Sequence, residues 1–146
     1  MPTHADICAE ALTWLDTPWV HRQCVKGVRG GVDCVRLLEG IAKAVGLLPQ
    51  SWQPPMYSQS FHLHSDREMV QEVLVALGAI ATPLGNAQPG ECLLFRFGRS
   101  CAHAALLMPG NHILHALKAE GRVVQNTLAG DWLTRLRYAY RFPGVV

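Results

Sequence analysis

The chain has 146 residues, 49% of them hydrophobic and 16% charged, with a formal net charge of +2. That balance suits a folded core of ordinary domain size and excludes an intrinsically disordered segment. Lys and Arg are scattered rather than massed along a stripe, so nothing supports nucleic-acid binding, and no stretch approaches the roughly 18 apolar residues that cross a bilayer.

The first fifteen residues include His4, Asp6 and Glu10 and lack a basic segment leading into an apolar run, so they do not read as a signal peptide. Synthesis in the cytoplasm is the expectation. Ile7, Ala11, Leu12, Trp14 and Leu15 fall mostly at helical spacing, predicting an amphipathic helix within Ala5–Asp16 that ends before Thr17-Pro18. Val25–Val32, with Gly27, Gly30 and Gly31, reads as a loop. A second helix opens at Cys34, with Asp33 as N-cap, Leu38, Ile41 and Val45 along one face, and Gly46 then Pro49 as its stop. Gln50–His64 is a loop rich in Pro, Ser and Gln. A third helix starts at Ser65 or Asp66, buries Met69, Val73, Leu74 and Leu77, and closes at Gly78.

After Pro83 helical spacing gives way to short apolar runs between turn residues: Glu91–Arg96, Ala102–Met108, His112–Leu117, Arg122–Gln125 and Leu136–Phe142. Helices first and strands afterwards predict an α+β fold, with N-terminal helices packed on a C-terminal antiparallel sheet. No repeat or linker divides the chain, so residues 1–146 are read as one domain.

Five cysteines, an odd count with no secretory leader, speak against a disulfide framework. His21 and Cys24 resemble half of a zinc site, but no second pair with ligand spacing accompanies them, so no metal is expected. Cys34 differs from the other four. It stands at a helix start directly after Gly30-Gly31, where free backbone amides and the helix dipole favour a thiolate and can donate to an oxyanion. The plain alternative is a small buried hydrophobe. Cys101 is the other cysteine to consider, because it neighbours His103.

A thiol nucleophile needs a histidine base, and the base needs an orienting group. Of seven histidines, His103 and His115 lie on adjacent predicted strands around Pro109-Gly110-Asn111. If Met108 pairs with His112 across a three-residue turn, His115 faces Ala105 and shares a face with His103, one diagonal step away. A two-residue turn would place them on opposite faces. His112, His62 and His64 read as surface residues.

In order, the blocks Gly30-Gly31-Val32-Asp33-Cys34, Pro89–Phe95, Ala102-His103-Ala104-Ala105-Leu106 and His115-Ala116 resemble the NlpC family of cysteine peptidases, most closely its phage-tail and prophage branch. The resemblance implies a papain-like core and a triad with Cys34 as nucleophile, His103 as base and His115 as orienter. It further implies a peptidoglycan stem peptide as substrate, no cofactor, and phage tail proteins as partners at the cell wall. Asp33, His21 and Tyr57 fall where substrate would be bound. Many members read Asp-Cys-Ser-Gly at the nucleophile, whereas this chain reads Asp33-Cys34-Val35-Arg36, so Val35 cannot take the Ser role.

Two other readings stay open. The same triad could serve a papain-like acyltransferase or lipid or amide hydrolase, and the fold could be retained as a non-catalytic tail-assembly scaffold.

Overall fold

The Thr3 hydroxyl accepts the Asp6 amide at 3.1 Å while the Asp6 carboxylate accepts the Thr3 amide at 2.9 Å. This reciprocal cap starts α1 (His4–Leu12), which buries Ile7, Cys8 and Ala11. The computed structural model describes residues 1–55 and 69–146. α1 stops short of the expected Asp16: Thr13 turns its hydroxyl back onto the Glu10 carbonyl, and Asp16 adopts left-handed backbone at φ 71°. The stretch read as a glycine loop contains a small hairpin, β1 (Cys24–Val25) antiparallel to β2 (Gly31–Val32). Its closure depends on Gly30, where a Cβ would collide with the Val25 carbonyl.

β2 leads through one residue, Asp33, into α2 (Cys34–Ala44). Asp33 takes extended backbone and its Oδ1 accepts the Arg36 amide at 2.9 Å, the N-cap expected from sequence. α2 buries Val35, Leu37, Leu38, Ile41 and Ala42, and past its Val45 cap comes Gly46, whose φ of +85° favours glycine. Gly40 lies against Trp14: a Cβ there would strike the indole and come within 3.0 Å of the Cys24 sulfur. Gly40→Ala is therefore expected to lower stability by about 1–3 kcal/mol through overpacking, despite alanine's better helix propensity. A thermal melt checks this, and an unchanged or raised Tm would overturn it.

α3 (Met69–Leu77) buries the four residues expected of it, together with Val70, and Gly78 follows. Its expected opening at Ser65 or Asp66 lies outside the described residues, as do Tyr57, His62 and His64.

The remaining chain supplies β3 (Ile80–Thr82), β4 (Cys92–Phe97), β5 (Ser100–Met108), β6 (His112–Leu117), β7 (Arg122–Thr127), the short helix α4 (Asp131–Arg135) and β8 (Leu136–Arg141). They form an antiparallel sheet in the order β3-β8-β4-β5-β6-β7, so the last strand inserts beside β4. β3 and α4 were not anticipated. β3 is exposed at two of its three residues, and α4 buries none of its five, so neither carries a periodic apolar signal.

The α+β expectation holds, with α2 and α3 packed on β5. Leu94, Ala104, Leu106, Met108, Leu114 and Ala116 face the helices. The opposite face carries Leu93, Phe95, Ala105, Leu107 and Ile113, covered partly by Trp132. β5 and β6 pair as Met108–His112, Leu107–Ile113 and Leu106–Leu114, across the three-residue turn read from the sequence. No helix among the described residues is long and apolar enough to cross a membrane.

Candidate active site

Cys34 is the first residue of α2 and is half-buried. Its sulfur is approached by the backbone amides of Ala104, Val35 and Cys34 itself, which brings the helix start onto β5 one residue beyond His103. Those amides favour the thiolate, yet the thiol is pushed up to about 12 by burial first and by the Asp33 carboxylate second. This corrects the sequence argument for a depressed cysteine. A helix terminus offers about half an elementary charge, and desolvation in a packed site outweighs it.

His103 and His115 meet. Nε2 of His103 lies 2.7 Å from Nδ1 of His115, and Nε2 of His115 lies 2.7 Å from Oδ1 of Asn126. These contacts fix the tautomers. The Asn126 oxygen only accepts, so His115 carries its proton on Nε2 and donates it there. His115 Nδ1 is then a lone pair that accepts the His103 Nε2–H. His103 is left with an unprotonated Nδ1, the basic nitrogen of the pair.

Aromatic rings enclose the imidazoles. Phe95 and Phe97 lie 6.0 and 5.9 Å from His103, and Trp132 lies 5.4 Å from His103 and 4.8 Å from His115. Burial, and secondarily the neighbouring His115, hold His103 well below its ordinary value. Burial lowers His115 too, with the Asn126 contact opposing it. Both rings are thus neutral at pH 7.

In the unfolded chain each ring takes up a proton near 6.5. Between that value and the lower folded one, the unfolded chain binds more protons, so acid favours unfolding. The pair's contribution is complete above pH 6.5. It is lost below that at about 1.4 kcal/mol per pH unit for each ring still neutral in the fold. Melts between pH 7.5 and 5 should show Tm falling below 6.5, and falling less in His115→Gln; a flat profile would refute the buried neutral pair.

The other candidates divide. Both Asp33 carboxylate oxygens accept backbone amides, Oδ1 from Arg36 at 2.9 Å and Oδ2 from Arg22 at 2.8 Å. His21 Nδ1 lies 3.9 Å from Asp33 Oδ2, and its ring stacks beside Trp19 at 6.4 Å. Tyr57 lies outside the described residues. Cys101 is buried in the core on the helix side of the sheet, and all five cysteines are free. Among the described residues no group of three His, Cys, Asp or Glu side chains could hold a metal ion.

Asn126 and Trp132 escaped the sequence reading. The β6–β7 register pairs His115 with Val124, placing Asn126 two residues along on the same face. The alternation of that strand held this signal, but the expected strand ended one residue early, at Gln125.

No protein-family model matches the chain, and no curated protein matches it either. Solved structures do. The NlpC/p60 domain of the peptidoglycan hydrolase SagA superposes at TM-score 0.61 and 18% identity, over 94% of this chain and 97% of that one. An NlpC/p60 family protein from Bacillus cereus gives TM-score 0.67 at 19% identity, over 97% of this chain and 40% of that one. The fold is that of the NlpC/p60 domains. The peptidoglycan hydrolase RipB from Mycobacterium tuberculosis shares it too, at TM-score 0.62 and 17% identity, over 95% of this chain and 64% of that one. The chain spans about two fifths of the Bacillus cereus NlpC/p60 protein, so it corresponds to one part of that larger molecule.

Proposed function

We propose that this protein is a cysteine peptidase that hydrolyses peptide bonds in peptidoglycan stem peptides. One observation carries the reading: an unbroken run of contacts from His103 through His115 to Asn126, on the strand whose next residue, Ala104, turns its backbone amide to the sulfur of Cys34 at a helix start. The NlpC/p60 fold, found in the peptidoglycan hydrolases SagA and RipB, supports the substrate class.

In this mechanism Nδ1 of His103 takes the Cys34 proton as the sulfur attacks the scissile carbonyl. The backbone amides converging on the sulfur stabilise the oxyanion. His103 returns the proton to the departing amine, leaving a thioester on Cys34. Water, deprotonated by His103, then releases the acid and frees the thiol. Asp33 and His21 border the substrate's approach. The resemblance of the sequence blocks to the phage-tail branch supports action at the cell wall within a tail, alongside tail proteins.

Mass spectrometry of purified peptidoglycan digests, wild type against Cys34→Ala, tests the reading. New stem-peptide fragments from the wild type alone are expected. Absence of fragments from both would overturn it, and products from an acyl-lipid but not from muropeptides would select the lipid or amide reading instead.

A further inference from the structure

Arg96 on β4, Arg135 on α4 and Arg137 on β8 converge on one cleft of about 300 Å³, lined also by Gly98, Asp131 and Thr134. Each guanidinium is held by main-chain carbonyls. Arg96 donates to the Arg99 oxygen at 3.1 Å and Arg135 to the Arg96 oxygen at 3.1 Å. Arg137 donates to the Thr134 and Leu136 oxygens at 2.7 and 3.0 Å. Carbonyl partners fix a guanidinium in place without cancelling its charge, so three positive charges face the single carboxylate of Asp131.

This cleft adjoins the candidate active site. The Arg135 guanidinium lies over the Phe97 ring, 4.3 Å from its centroid, and the same ring meets His103 in an edge contact at 5.9 Å. Phe97 thus touches both a guanidinium of the cationic cleft and the base. Trp132, which covers both imidazoles, belongs to the same short helix as Asp131 and Arg135.

We propose that this cleft is a subsite for a carboxylate of the bound peptide, held chiefly by Arg135 and Arg137. The proposal rests on the peptidase reading and adds a specificity: a substrate with a free carboxylate at the matching position is preferred over its amidated counterpart. A peptide carboxylate suits the site better than a long polyanion. Polymers of repeating charge are held by a stripe along the surface, whereas here the arginines close around one pocket and the other basic residues are dispersed.

The test compares a muropeptide with its carboxamide form. Binding is measured by NMR titration of the Cys34→Ala protein, which cannot turn the ligand over, and cleavage is measured with the wild type. The acid should bind about tenfold more tightly than the amide, and should move the Arg135 and Trp132 side-chain N–H signals. In Arg135→Gln and Arg137→Gln that preference should shrink to about twofold, with Arg135→Lys intermediate. Equal binding of acid and amide, with both cleaved by the wild type, would overturn the subsite and leave the peptidase reading intact. A muropeptide neither bound nor cleaved would overturn the peptidase reading, and the subsite with it. Because the acid and amide are compared on protein with its arginines intact, the result holds even if an arginine variant fails to fold.

Discussion

Cys34→Ser should lose about four to six orders of magnitude in kcat/KM on a stem-peptide substrate, and His103→Gln nearly as much, while the double variant should be no worse than either alone. In the proposed mechanism nucleophile and base act as one unit: burial and the Asp33 carboxylate push the thiol up to about 12, so the thiolate forms only as His103 takes its proton. A serine in the same place lacks both the softness and the acidity to use that base. Steady-state kinetics on a defined muropeptide check it. Residual activity in Cys34→Ser within tenfold of wild type would remove Cys34 from the chemistry.

The same high thiol value changes how reactivity is to be judged. A fast-alkylating cysteine is the usual mark of an active thiol, and slow alkylation would seem to favour a scaffold. Here the thiol and the imidazole are both neutral, so slow alkylation at pH 7 is expected of a peptidase built on this site as well. Turnover separates peptidase from scaffold, and alkylation rate does not. The acid limb of the pH–rate profile should accordingly lie well below 6.5, since a base held neutral by burial stays competent in mild acid.

What was legible in the sequence was what local chemistry fixes. Asp33 before an amphipathic run marks a helix start, and three turn residues between Met108 and His112 set a register that puts His103 and His115 on one face. What escaped depends on contacts distant in sequence. The position of β8 between β3 and β4 follows from packing and not from any motif. Asn126 joins the site only through the β6–β7 register, which the four residues Lys118–Gly121 do not specify by composition. Trp132 sits on a helix of five residues, too short for periodicity to show. The error over the cysteine has the same root: the dipole of α2 can be read from the sequence, but the depth to which β5 buries the sulfur cannot.

His115→Leu should lower kcat by about two to four orders of magnitude with little change in KM, because it strips the acceptor from a buried His103 Nε2–H and frees the ring to adopt the wrong tautomer. His115→Asn should recover much of the loss, since its amide oxygen restores an acceptor at that position. Asn126→Ala acts one step further out. It leaves the His115 Nε2–H without its partner, a cost of about 1–3 kcal/mol, which predicts a fall of about 5- to 160-fold. Asn126→Asp separates orientation from charge: the carboxylate still accepts from His115 but stabilises a protonated imidazole, so the acid limb should move toward higher pH while the plateau rate is largely kept. A profile unmoved in Asn126→Asp, together with equal rates for His115→Leu and His115→Asn, would mean that the three aligned side chains are packing and not a relay.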